Sequence, residues 1–184
     1  DPADNVARRE GIETAEQHEL ALHRYAQYAD ALKDDRAFQR RYMAAEFAVP
    51  DARFRKTIKT VAGDCGVYPA SADKMAALKP VREGGSVTFA AQTHPADGNA
   101  GIVMTADPGF ASELSPRSGA PKIEVISFGQ ARVEKAHMPA APIDAARNAL
   151  SFAGLDIGEM KVIKSHNPFA VNDIAFARAF SIDW

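Results

Sequence analysis

The sequence predicts an α/β protein, a layered sheet with helices. Two observations lead there. From residue 122 onward the chain alternates strand, helix, strand, helix with short links, the arrangement of a βαβ unit. The last strand of that run ends at His166-Asn167-Pro168-Phe169, a tight strand-to-helix turn beginning with a histidine. Open α/β sheets bind ligands beyond the carboxyl ends of their strands, so that turn is where chemistry is expected.

The 184 residues suffice for one large or two small domains with a sizeable core. A hydrophobic share of 46% and a charged share of 25% are those of a globular protein. The net charge of −2 argues against nucleic-acid or membrane-surface partners, which call for a basic excess. No apolar run approaches the roughly eighteen residues of a bilayer span, and no signal peptide is visible. One cysteine, Cys65, leaves no internal disulfide and fits a reducing cytoplasm. The chain opens at Asp1 without a methionine, which suggests processing or a fragment.

Along the chain, Thr14-Ala15-Glu16-Gln17 reads as a capping box opening a helix. Leu22, Tyr25, Ala29 and Leu32 form its apolar stripe, and Glu19, Arg24, Gln27 and Asp34 its polar face. Residues 38–50 mix charged and apolar positions and specify no element clearly. Phe54 to Val61 has weak strand character, followed by a Gly63-Asp64-Cys65-Gly66 turn. Ser71 can cap a short helix through Met75 and Leu78 that stops before Pro80. Gly84-Gly85 precedes a short strand, Ser86-Val87-Thr88-Phe89, and residues 92–98 read as a loop.

Ala100 to Met104 reads as an apolar strand or buried helix, and Gly109 to Pro121, rich in Ser, Pro and Gly, as a surface connection. Lys122 to Phe128 alternates around Ile123 and Val125 and is β-like. Pro142 starts a helix with Ile143, Ala146 and Leu150 as its buried stripe, and Gly154 stops it. Met160 to Ile163 is a short strand, after which Phe169, Asp173, Phe176 and Phe180 continue as a helix. There is no internal repeat and no low-complexity tract.

At the closing turn, Asn167 is a good N-cap with Pro168 at the first helical position. His166 is either a surface histidine with a local hydrogen bond or a neutral imidazole donating to a developing oxyanion beside a helix N-terminus. No glycine-rich phosphate loop follows any strand, which argues against a stand-alone nucleotide-binding domain.

Several segments together resemble one family. Ala141-Pro142-Ile143 to Leu150, then Ala153-Gly154-Leu155, is similar to the Gly-Pro-(Ile/Val)-Pro-Ala…Ala-Leu…Ala-Gly segment of thiolases. In that family a strand follows and ends in Asn-Glu-Ala-Phe, or in His-Asp-Cys-Phe or His-Asp-Ala-Phe in a histidine subgroup. Here it ends in His166-Asn167-Pro168-Phe169, the histidine form with Asn167 in place of the acid. Met75 to Pro80, Ser86-Val87-Thr88, Asp97-Gly98 and Ala100 resemble the family's Leu-Lys-Pro…Thr-Val-Thr…Asn-Asp-Gly-Ala run, and Gly11-Ile12 to Leu22 its Gly-Ile-(Thr/Ser)-Arg-Glu-x-Gln helix. The matches run in order across nearly all of the chain.

The resemblance implies an acyltransferase that forms or cleaves carbon–carbon bonds between acyl-CoA thioesters. In the family a cysteine is the nucleophile, and a second cysteine and a Gly-His-Pro histidine supply base and oxyanion functions. It assigns His166, with Asn167 beside it, to the catalytic oxyanion position, and Thr93 and His94 to the CoA contact. Lys74 can offer a phosphate contact and Met138 can line the acyl pocket. Val67-Tyr68-Pro69 stands where a basic residue is usual, and Cys65 matches neither catalytic cysteine.

By the resemblance the sheet is a thiolase-like layered mixed sheet with helices, residues 1–94 being part of a partly helical CoA-binding loop domain and residues 95–184 the first part of a carboxyl-terminal α/β domain. The chain reads as an internal or split piece, inactive alone because the catalytic cysteines are missing. It is expected to hold no metal and no permanently bound cofactor, with a coenzyme A thioester as substrate. Its partners would be the remaining thiolase segments or subunits, in a cytoplasmic homo-oligomer when intact. The alternative from another class is a non-catalytic thiolase-like subunit scaffolding an acyl-CoA-binding partner, such as a zinc-ribbon protein.

Overall fold

A computed structural model describes residues 1–93, 101–119 and 121–184, with Arg117 and Ser118 described by their backbone alone. Helix α1 (Pro2–Glu10) begins at Asp1, whose carboxylate accepts from the Ala3 N–H at 2.9 Å, with Pro2 preset for the first turn. Gly11 ends it in a left-handed conformation (φ 62°), and the Ile12 N–H returns to the Ala7 carbonyl at 2.8 Å. The same closure ends α6 (Ala141–Ala153) at Gly154 and α7 (Ala170–Phe180) at Ser181. Pro142 and Gly154 bound α6 as its local signals specify.

Helix α7 is the centre of the fold. Val171, Asn172, Asp173, Ile174, Ala175 and Ala177 are all buried, so little of its first two turns faces water. It packs against α1, α2 (Thr14–Ala31), α6 and a 3-10 turn at Met138–Ala140. The core cluster is Ala3, Val6, Ala7, Ile12, Leu20, Val87, Ala91, Ala140, Ile143, Val171, Ile174 and Ala175, drawing on both halves of the chain. Fully burying a side chain such as Leu20 or Ile174 contributes about 1.5–3 kcal/mol. An exposed pair such as Lys33–Asp30 contributes at most about 1 kcal/mol, so apolar burial around α7 holds the helices together.

The opening of α2 differs from its sequence reading. Its N-cap is Glu13, and Thr14 and Gln17 form no capping box. The Thr14 hydroxyl donates to the Ser86 carbonyl at 2.7 Å, and the Gln17 amide donates to Ser86 Oγ at 3.0 Å. His18 and Thr88 share a buried hydrogen bond of 2.7 Å. Asp4 Oδ1 accepts the N–H groups of Ser86 and Val87 at 2.9 and 3.1 Å. Residues 86–88 are therefore bonded to α1 and α2 through the side chains of those helices. A Cβ on Gly85 would stand 2.7 Å from Asp4 Oδ1, so a glycine is needed there.

Beyond α2, the helix α3 (Lys33–Arg40) is interrupted by left-handed residues at Asp34, Asp35 and Arg36. Strands β1 (Phe47–Pro50) and β2 (Thr57–Val61) then pair antiparallel, Phe47 opposite Val61 and Val49 opposite Lys59. Helix α4 (Ala72–Ala76) starts after Ser71 and buries Met75. The Ser/Pro/Gly-rich stretch read as a connection contains helix α5 (Pro108–Ser118). Asp107 caps it by accepting from Gly109 and Phe110, Pro108 fits the first turn, and Gly119 closes it at φ 66°. Composition hid a helix that its end signals could have shown.

The sheet expected from the strand-like segments is present only in part. Among the described residues β1 and β2 form the one ladder, a two-stranded sheet. Residues 86–88, 101–104, 122–128 and 160–163 carry no ladder. A strand exists through a ladder of bonds to a neighbouring strand, and none of these segments has one among the described residues; the Val87 carbonyl takes a single backbone bond, from the Val81 N–H at 2.8 Å. In the last three of these segments apolar side chains stay exposed: Ile102 at 83%, Ile123 at 80% and Val162 at 77%, whereas Val87 joins the core. One of them still docks on a helix. Ser127 Oγ donates to the Ala149 carbonyl and the Asn148 amide to the Gln130 carbonyl, each at 2.9 Å, holding residues 127–130 along α6.

Candidate active-site cleft

The turn at His166 and the segment leaving the 3-10 turn Phe89–Ala91 are bonded to each other. Gln92 and Phe169 form an isolated antiparallel bridge, and the Thr93 N–H donates to the Pro168 carbonyl at 2.8 Å. With α2 as the third wall they enclose a cleft of about 200 Å3. Leu20, Ala21 and Arg24 line it from α2; Ala90, Ala91, Gln92 and Thr93 line the second wall; Asn167, Ala170 and Asp173 line the third.

Three segments far apart in sequence thus meet where two of the residues singled out from sequence, Thr93 and Asn167, face one space. His166 lies between two residues of this turn, is exposed, and makes no hydrogen bond among the described residues. Asn167 is not the helix cap. Phe169 holds the N-cap position in an extended conformation, bridged to Gln92, and α7 starts at Ala170. The Asn167 amide is used differently, donating to Asp173 Oδ2 at 3.0 Å.

Asp173 is the residue that sequence reading missed. Its side chain is 4% exposed and accepts three hydrogen bonds: from Ser165 Oγ on Oδ1, and from Asn167 Nδ2 and Arg24 Nη2 on Oδ2. A buried carboxylate is costly unless paired and bonded, and this one is both. Its place in the first turn of α7 adds the favourable end of the helix dipole. A signal was present, since Asp173 lies on the same helical stripe as Phe169, Phe176 and Phe180. An acid on an apolar stripe requires partners.

The other residues singled out lie elsewhere. Lys74 is exposed on α4, and Met138 is 54% exposed at the 3-10 turn before α6; neither lines the cleft. His94 falls outside the described residues. Cys65 is exposed in its turn and lines no part of the cleft. A larger concavity of about 450 Å3, lined by Ala177, Arg178 and residues 181–184, contains none of the residues singled out from sequence. Among the described residues, no group of three or more His, Cys, Asp and Glu side chains is placed to hold a metal ion. No helix among them is long and apolar enough to cross a membrane.

No family model matches the chain. It is 29% identical over 184 residues to the beta-ketothiolase BktB of Cupriavidus necator, a match covering 98% of this chain and 44% of that protein. The acetyl-CoA acetyltransferase of Escherichia coli matches at 29% with the same coverage, and the bovine mitochondrial trifunctional enzyme subunit beta at 28%, over 36% of its length. Among solved structures, human mitochondrial 3-ketoacyl-CoA thiolase superposes with a TM-score of 0.74 and Bacillus anthracis acetyl-CoA acetyltransferase with 0.72. Each superposition covers 99% of this chain and 44% of the other at 20% identity, and so speaks to the fold. The chain spans under half the length of these relatives. Over nearly its whole length it is thiolase-like, similar to thiolases in sequence and to part of one in fold.

Proposed function

We propose that the chain is a segment of a thiolase-type acyltransferase acting on acyl-CoA thioesters, and that it supplies an oxyanion donor, His166, but not the nucleophile. The observation that carries this reading is the meeting of the His166 turn with Thr93 across one cleft, in a chain similar to thiolases along 98% of its length. In thioester condensation or cleavage, a thiolate attacks the thioester carbonyl, a base moves the α-proton, and fixed donors hold the negative oxygen. His166 has the chemistry of such a donor, and its ring is not already engaged by a neighbour among the described residues.

Thr93 offers a hydroxyl to the pantetheine arm of a CoA thioester at the same cleft, with His94 next along the chain. Lys74 and Met138, both exposed, are proposed as phosphate and acyl contacts at a distance from it. The unladdered apolar segments 101–104, 122–128 and 160–163 are proposed as strands of the layered sheet. Their backbone groups and exposed side chains would be covered by the remaining thiolase segments or subunits. Residues 1–94 would then serve the loop domain and residues 95–184 the carboxyl-terminal half, in a homo-oligomer requiring no bound metal or cofactor.

The test is an assay of acetoacetyl-CoA thiolysis by free CoA, run on the complete gene product and on this 184-residue chain. Thiolysis by the complete product and none by the isolated chain is the expected result. A complete product that binds acyl-CoA without turning it over supports the non-catalytic scaffold instead. Thiolysis by the isolated chain removes the requirement for an outside nucleophile.

A further inference from the structure

We infer that Asp173 is a positioning residue for His166, setting the direction of the imidazole by holding the residues on both sides of it; this rests on the oxyanion reading of His166. Ser165 and Asn167 flank His166 directly, and both donate to the Asp173 carboxylate, at 2.5 Å and 3.0 Å. Side chains two positions apart that reach one carboxylate lie on the same side of the chain. The residue between them points to the other side, as in extended backbone, where successive side chains alternate. His166 is accordingly exposed while the carboxylate beneath it is buried.

The anchor is itself immobilised. Asp173 sits in the first turn of α7, the most buried helix, between Asn172 and Ile174, which are 5% and 0% exposed. Its Oδ2 is held from the opposite wall by Arg24 of α2, whose second nitrogen donates to Gln27 at 3.0 Å. The turn is further tied at its far end by the Thr93–Pro168 bond. Residues 165–168 are therefore fixed at three points around a histidine that has no hydrogen bond of its own among the described residues. An oxyanion donor acts only if its N–H already points at the place where charge develops, so a donor without a partner on its own ring needs its backbone held. Asp173 does this without touching substrate.

The test is a double-mutant cycle in the complete gene product, reading kcat and KM for thiolysis. Asp173→Asn keeps the size of the side chain while removing its charge and half its acceptors. It should lower kcat roughly tenfold or more, as for a misplaced catalytic group, with KM changed less than about threefold. In the His166→Ala background the same substitution should change kcat less than about twofold, because the group it positions is gone. If Asp173→Asn fails to fold, Ser165→Ala with Asn167→Ala removes the same two donors from exposed positions and leaves the Arg24–Asp173 pair intact. The proposal is overturned by an equal loss of kcat in both backgrounds, which marks a structural role, or by unchanged kcat in Asp173→Asn when His166→Ala is impaired. Wild-type turnover in His166→Ala, or a complete product with no turnover, removes the oxyanion reading and this inference with it.

Discussion

The backbone N–H of Thr93 donates to the carbonyl of Pro168 at 2.8 Å, and this bond sets the proposed CoA contact beside the proposed oxyanion donor. Thr93→Pro removes the donor while Thr93→Ser keeps both the N–H and a hydroxyl. One such bond is worth about 0.5–1.5 kcal/mol, so Thr93→Pro should raise KM for the acyl-CoA substrate about two- to tenfold. Thr93→Ser should leave it unchanged. Steady-state kinetics on the complete gene product check this, and equal KM values in all three proteins would count against the cleft as the CoA site.

The carboxylate at position 173 is also a stability element. Asp173→Ala leaves three part-buried donors without their acceptor and should cost about 1–3 kcal/mol. Arg24→Met should cost less, since the Arg24 side chain is 38% exposed and the carboxylate keeps its bonds from Ser165 and Asn167. Denaturant unfolding gives both values, and a larger loss for Arg24→Met contradicts the ranking.

Gly129 lies against α6, where an added Cβ would stand 2.0 Å from the Ala145 carbonyl oxygen and 2.7 Å from the Ala149 nitrogen. Both obstacles are helix backbone, so neither can turn aside. Gly129→Ala should destabilise by about 1–3 kcal/mol and release residues 127–130 from the helix. Gly158→Ala, with nothing within 4 Å, should stay within about 0.5 kcal/mol of wild type. Thermal melts of the pair give the comparison.

His18 is buried, and burial lowers its pKa below the usual histidine value of 6.5. The unfolded chain therefore binds a proton at His18 more readily than the folded one. The stability this group contributes is full above about pH 6.5 and is lost as pH falls through the folded value. Unfolding free energy should drop as pH falls below about 6.5, and His18→Gln should flatten that slope. A slope identical in the variant would assign the pH dependence to other groups.

How much could be read from the sequence depended on the range of the signal. Helix α6 was legible because Pro142 and Gly154 act on their own backbone, whatever surrounds them. Thr14 and Gln17 look like a local capping box but spend their polar atoms on Ser86, a tertiary use that no local pattern announces. Residues 122–128 alternate as a strand does, whereas a ladder requires a neighbour that local pattern does not supply. The His166 turn stood out as a strand-end site. The carboxylate beneath it did not, because Arg24 and Asp173 become partners only through the packing of α2 on α7.

The most direct test of the account is kcat for acetoacetyl-CoA thiolysis by the complete gene product and by its His166→Ala variant. Loss of one oxyanion donor costs on the order of a hundred- to a thousandfold, and somewhat less where other donors remain, so a fall of roughly ten- to a thousandfold is expected with folding intact. A variant that turns over at the wild-type rate would contradict the central claim and leave His166 a surface histidine on a thiolase-like turn.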